Sequence, residues 1–145
     1  MPHLPNFFVY CRKEFCYSMI RVALCDDSPE MRVALRLLLR LSKNIELVCE
    51  TSNGRDAVEC VKRLQPDVLV MDIHMPVLDG FAATKQITDL SVSTRVILIS
   101  TDLGSFIVRK AAAVGAKGYV PKDDAAKSLL RAIESVHQGE TFFVE

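Results

Sequence analysis

A mixed α/β domain on one parallel sheet is the fold class the sequence predicts, and three observations predict it. From residue 20 onward short apolar runs alternate with longer amphipathic stretches. Most runs are rich in β-branched residues and nearly unbroken in hydrophobicity, which suits strands covered on both faces. Capping and turn residues separate the two kinds of segment, so each strand is followed by a helix that crosses back over the sheet, with right-handed connections.

The elements follow in order. Ile20–Cys25 is the first strand. Ser28 then offers an N-cap and Pro29 a first helical position, opening a helix over Pro29–Leu41. Met31, Ala34, Leu35, Leu38 and Leu41 form its apolar stripe, and Arg32, Arg36 and Arg40 a basic one. Strands are predicted at Ile45–Glu50, Val68–Met71, Val96–Ile99 and Gly118–Val120. Helices are predicted at Gly54–Leu64, Asp79–Leu90, Ser105–Val114 and Ala125–His137, with Gly115 and Gly139 stopping the last two.

The 145 residues are one domain's worth, and half are apolar. A chain of that size buries roughly two-thirds of its unfolded surface, so it needs no covalent staples. Formal net charge is zero, which leaves no footprint of a polyanion-binding surface. Cys11, Cys16, Cys25, Cys49 and Cys60 form no CxxC pair; with an odd count and three of them in apolar runs, a reducing, cytoplasmic setting is expected. Cys11 and Cys16, with His3, lack metal-site spacing. No apolar run is long enough to cross a bilayer. Arg12, Lys13 and Glu14 interrupt the apolar part of the N-terminal segment, which argues against a secretion signal. Residues 1–18 are therefore expected to be a poorly ordered extension, with Met19 as the native start and residues 19–145 as the domain.

In open parallel sheets the site lies beyond the carboxyl ends of the strands. Those positions hold Asp26 and Asp27 after the first strand, and Asp72 after the third with Ile73-His74-Met75-Pro76 and Asp79-Gly80 beyond it. Ser100 and Thr101 follow the fourth strand, and Lys122 the fifth. Three carboxylates on one rim repel unless a cation sits among them, and Mg²⁺ favours carboxylates, a carbonyl, waters and phosphate oxygens. An aspartate beside such an ion can act as nucleophile toward a phosphoryl donor, with the metal and an ammonium neutralising the transferring group.

These pieces, ALCDDSPE, VMDIHMPVLDG, ILIST and AVGAKGYVPKDD, resemble the receiver domain of bacterial two-component response regulators over residues 20 to 138. FIVRKAAAVGAKGYVPKDD is similar to the subgroup whose receivers precede a LuxR-type helix-turn-helix domain. The resemblance implies a flavodoxin-like (CheY-like) three-layer α/β/α sandwich with a five-stranded sheet of order 2-1-3-4-5. It implies Asp72 as phosphoacceptor and Asp26 and Asp27 as the Mg²⁺-holding pair, Asp27 as the direct ligand. It also gives the His74 backbone carbonyl as a further metal ligand, Ser100 as switch hydroxyl, Lys122 as phosphate partner and Tyr119 as the aromatic switch. The implied partners are a sensor histidine kinase or phosphotransfer protein, and a second copy on phosphorylation. DNA would be contacted only through a further C-terminal domain, the last helix ending near residue 138 before a linker begins at GETFF.

Departures and plainer roles stand beside these. Thr101 is larger than the small residue usual after the switch hydroxyl, His74 and Asp102 fall where dephosphorylation is tuned, and Pro121 replaces an aliphatic residue before Lys122. Taken singly, Asp26 and Asp27 read as helix caps, Asp72 as a turn residue, Tyr119 as core and the arginine stripe as a solvated face. In the functional reading that stripe is a docking surface for the phosphodonor kinase, and Phe106, Ile107 and Ala111 belong to a dimer surface or to the core. Two other function classes compete. A haloacid-dehalogenase-like, Mg²⁺-dependent phosphatase would need an acid where His74 stands; a flavin module would need a first loop free of two negative charges. A phosphorylation-independent interaction module is the third alternative.

Overall fold

The computed structural model describes residues 19–145. Expectations for residues 1–18, including the extension and Cys11 and Cys16, lie outside the described residues. The elements run β1 (Ile20–Cys25), α1 (Pro29–Leu39), β2 (Ile45–Thr51), α2 (Gly54–Leu64), β3 (Val68–Asp72), α3 (Gly80–Asp89), β4 (Arg95–Ser100), α4 (Ser105–Ala113), β5 (Gly118–Pro121), a 3-10 turn over Lys122–Asp124, α5 (Ala125–His137) and β6 (Phe142–Phe143). All pairings are parallel, in the order β2-β1-β3-β4-β5-β6.

Strand alternation divides the interior in two. Val22 and Leu24 face Leu35, Leu39, Leu129 and Ile133 of α1 and α5, while Ala23 and Cys25 face the side of α2, α3 and α4. Every residue of β3 is buried, as a central strand between two helical layers requires. A fully buried leucine or isoleucine contributes roughly 1.5–3 kcal/mol, so the two faces of β3 and β4 supply much of the driving force.

Two expectations need correction. The sheet has six strands rather than five, because Phe142–Phe143, within GETFF, pairs with β5. Gly139, at φ +95°, ends α5 and lets the chain reverse. The Phe142 amide then donates to the Lys117 carbonyl at 3.0 Å and the Val144 amide to the Tyr119 carbonyl at 2.9 Å. The Arg131 guanidinium lies 5.3 Å from the Phe142 ring centroid, holding the added strand from the helix side.

The second correction concerns α1. It ends at Leu39, not Leu41, and Leu41 is 75% exposed. Ala34 is exposed as well, and Leu35 with Leu39 makes the buried contact, one turn apart. The Ser28 hydroxyl accepts the Met31 amide at 3.1 Å, as expected of the cap. Phe106, Ile107 and Ala111 divide: Ile107 and Ala111 are core, while Phe106 is 69% exposed.

Candidate functional site

The carboxyl ends of β1, β3 and β5 converge because parallel strands all point the same way. Asp26 follows β1, Asp72 closes β3 and Lys122 follows β5. One carboxylate oxygen from each of Asp26, Asp27 and Asp72 lies within 4.8 Å of the others. Asp26 and Asp72 are buried, and Asp27 is exposed at the mouth.

Each buried carboxylate is anchored on one side. Asp26 Oδ1 accepts the Ser28 amide at 2.9 Å, and Asp72 Oδ1 the His74 amide at 3.4 Å. Their other oxygens face Lys122, whose Nζ lies 3.0 Å from Asp26 Oδ2 and 3.3 Å from Asp72 Oδ2. Asp26 Oδ2 meets the ammonium as an ion pair and has no other polar partner. Burial, then repulsion from Asp26, pushes the Asp72 carboxyl above its usual range, against the opposing pull of Lys122 and the His74 amide. Lys122 moves the other way: burial works against its charge, but the two carboxylates outweigh it and raise its pKa.

Three carboxylates against one ammonium leave two negative charges in excess. A buried carboxylate oxygen whose one polar partner is an ammonium, beside two other carboxylates, is a donor set that fits a small hard cation with remaining positions open to water or phosphate oxygens. The loop carrying Asp72 is fixed by close backbone packing. The Gly80 amide donates to the Ile73 carbonyl at 2.7 Å, and a Cβ on Gly80 would lie 2.4 Å from the Asp72 carbonyl oxygen. Gly54 similarly holds the loop from α2, its amide donating to the Leu78 carbonyl at 3.1 Å.

The other expected residues gather around Asp102. Ser100 is fully buried, and its hydroxyl accepts the Asp102 amide at 3.1 Å. Tyr119 is also fully buried, its ring turned inward and its hydroxyl donating to the Asp102 carbonyl. Burial pushes the Tyr119 phenol up. The His74 imidazole stands outside the carboxylate cluster: its Nε2 is 2.7 Å from Asp102 Oδ2, and this partner holds the Asp102 carboxyl below the usual carboxylate range. Pro121 ends β5 opposite Ser100 in an extended conformation and leaves Lys122 in place.

Sequence reasoning missed Arg32, which it set in a uniform stripe with Arg36 and Arg40. Arg32 instead turns back and donates to the Asp26 carbonyl at 2.5 Å, closing the β1–α1 loop. Arg36 grips Glu50 at 2.6 and 2.9 Å, and Arg40 is exposed. Only the i, i+6 placement of Arg32 behind an acidic pair signals this, and helical periodicity alone hides it.

A family model described as the response regulator receiver domain matches residues 22–134. The chain belongs to that receiver family. The transcriptional regulatory protein LnrK of Bacillus subtilis is 36% identical over 121 residues, which cover 83% of this chain and 55% of LnrK. A protein-glutamate methylesterase/protein-glutamine glutaminase of Methanosarcina mazei is 37% identical over 133 residues, 86% of this chain and 37% of that protein. The receiver thus spans about half or less of these curated relatives. Among solved structures, a LuxR-family two-component response regulator from Aurantimonas sp. SI85-9A1 superposes with a TM-score of 0.82 at 30% identity, covering 86% of this chain and 89% of that one. The receiver fold is therefore the flavodoxin-like α/β sandwich expected, with one strand more. No helix among the described residues is long and apolar enough to cross a membrane.

Proposed function

We propose that Asp72 accepts a phosphoryl group from a sensor histidine kinase or phosphotransfer protein in a Mg²⁺-dependent reaction. The observation that carries this reading is the cluster itself: three carboxylates within 4.8 Å, with the Lys122 ammonium 3.3 Å from Asp72. Asp26, Asp27, Asp72 and the His74 backbone carbonyl would hold the ion, which supplies charge neutralisation for the transferring group. Asp72 contributes the attacking carboxylate oxygen; the bond from phosphorus to the donor breaks as the acyl phosphate forms. Lys122 pairs with a phosphoryl oxygen, exchanging one of its carboxylate contacts for it.

Switching then follows from differential contacts. The Ser100 hydroxyl moves from the Asp102 amide to the phosphoryl group, and the inward Tyr119 ring fills the space it leaves, so phosphorylation favours one of two arrangements. Output passes to a partner, a second copy or an appended DNA-binding domain, and control of transcription in the cytoplasm is the reading that the LuxR-type relatives support. Residues 19–145 form the receiver in this account. His74, exposed and paired with Asp102, weighs against a phosphatase that would need an acid there.

Treatment with acetyl phosphate, with and without Mg²⁺, tests the proposal. A base-labile phosphoryl adduct should appear by intact mass only with Mg²⁺, and should vanish in Asp72→Asn. No adduct, and no change on adding beryllofluoride, would select the phosphorylation-independent module instead.

A further inference from the structure

Arg32 sits where its charge alone is out of place. It stands near the N-terminal end of α1, the positive pole of that helix, and its guanidinium reaches back to a loop whose carboxylates fit a cation. A positive charge there opposes a second one arriving at the carboxylates. Geometry gives the side chain a different role. Its Nη1 donates to the Asp26 carbonyl at 2.5 Å, from a helix that buried Leu35 and Leu39 fix in the core. That carbonyl belongs to the peptide unit joining Asp26 to Asp27, and the unit is planar, so holding its oxygen sets the rotation on both sides of it. Asp26 has further holds: its amide donates to the Thr51 carbonyl at 3.2 Å, and its Oδ1 accepts the Ser28 amide at 2.9 Å. Asp27 is exposed at the mouth, and the Arg32 bond acts on the peptide plane from which its carboxylate springs.

We propose that Arg32 is a positioning residue for the divalent cation: by pinning the Asp26–Asp27 peptide plane it aims the two carboxylates and raises the affinity of the site. The inference rests on the metal-binding part of the proposed function and extends it to a residue outside the carboxylate set. A charge-assisted bond to the carbonyl is stronger than a neutral one, and the guanidinium fork is rigid, so arginine orients the loop better than lysine can. The sign of the effect separates position from charge. Acting through its charge, Arg32 would weaken cation binding, and removing it would tighten the site. Acting through position, its removal loosens the site.

Mn²⁺ titration of the full chain, with free ion read by electron paramagnetic resonance and Mg²⁺ as competitor, tests this. Wild type should bind the ion, and Asp27→Asn should lose most of that affinity. Arg32→Met keeps the apolar stem but removes donor and charge, and should bind Mn²⁺ roughly tenfold more weakly, as when a group orienting a metal ligand is lost. Arg32→Lys keeps the charge and a single-point donor, and should fall between the two. Arg40→Met removes an exposed charge just beyond the same helix and should leave the affinity unchanged. Circular dichroism in EDTA checks folding, and Arg32→Lys decides alone if Arg32→Met does not fold. Equal or tighter Mn²⁺ binding by the deciding variant overturns the proposal and leaves the metal site standing. Wild type that binds no ion overturns the proposal together with the Mg²⁺-dependent reading beneath it.

Discussion

Lys122 and Asp26 form an ion pair in which a fully buried carboxylate oxygen lies 3.0 Å from the ammonium and has no other polar partner. The same ammonium serves Asp72 at 3.3 Å, so one positive charge offsets two buried negative ones. Removing it should be costly, since breaking a buried pair leaves an uncompensated charge. Lys122→Ala is expected to lose about 3 kcal/mol of stability in EDTA by urea denaturation. Mg²⁺ should return more stability to this variant than it adds to wild type, because the cation then replaces the missing charge. Equal gains in the two proteins would refute that compensation.

The raised Asp72 carboxyl has a definite signature in pH. In the folded, metal-free protein Asp72 keeps its proton to higher pH than in the unfolded chain, whose value is near the ordinary 3.8. Between those two values the native state binds more protons, so stability at this site falls as pH rises and is fully lost above the folded pKa. Asp72→Asn should remove that decline, giving a variant more stable than wild type above the window and closer to it below. Paired urea titrations across pH in EDTA measure the difference; parallel curves would contradict it.

Gly80 is held where no side chain fits. Gly80→Ala would place a methyl group 2.4 Å from the Asp72 carbonyl oxygen and 2.7 Å from the Ile73 Cα. The backbone must shift, at a cost of about 1–3 kcal/mol. Acceptance of phosphate from acetyl phosphate should drop with it, since the displaced atoms belong to the phosphoacceptor residue. An alanine variant with unchanged stability and labelling would show that the loop is slack.

Tyr119 contributes a hydrogen bond that phenylalanine cannot make. Tyr119→Phe leaves the Asp102 carbonyl without its phenolic donor, and should cost about 1 kcal/mol. Phosphoryl acceptance itself should persist, because the ring lies beside Ser100 and not among the carboxylates. Loss of labelling in this variant would give Tyr119 a direct part in the chemistry.

Much of this molecule is legible in its sequence for simple physical reasons. Runs such as VLVMD and RVILIS are apolar on both faces, and only a central parallel strand buries such a run completely. Once five such strands point one way, their terminal residues must share a rim, which is why Asp26, Asp27, Asp72 and Lys122 could be grouped before any coordinates. The two-residue strand Phe142–Phe143 carries no periodic signal, and its pairing depends on the turn at Gly139. Side-chain direction is similarly hidden: nothing in His74 or Arg32 states that one turns out to Asp102 and the other back to the Asp26 carbonyl.

The terminal strand also changes how this sheet meets other chains. An uncovered β5 would offer a row of free amides and carbonyls as a template for stray strands, and Phe142–Phe143 occupies it with an edge too short to propagate further pairing. At the opposite margin β2 carries the exposed Glu46, a charge that discourages intruding strands. Among the described residues, both margins of the sheet therefore carry a feature that opposes edge-to-edge pairing.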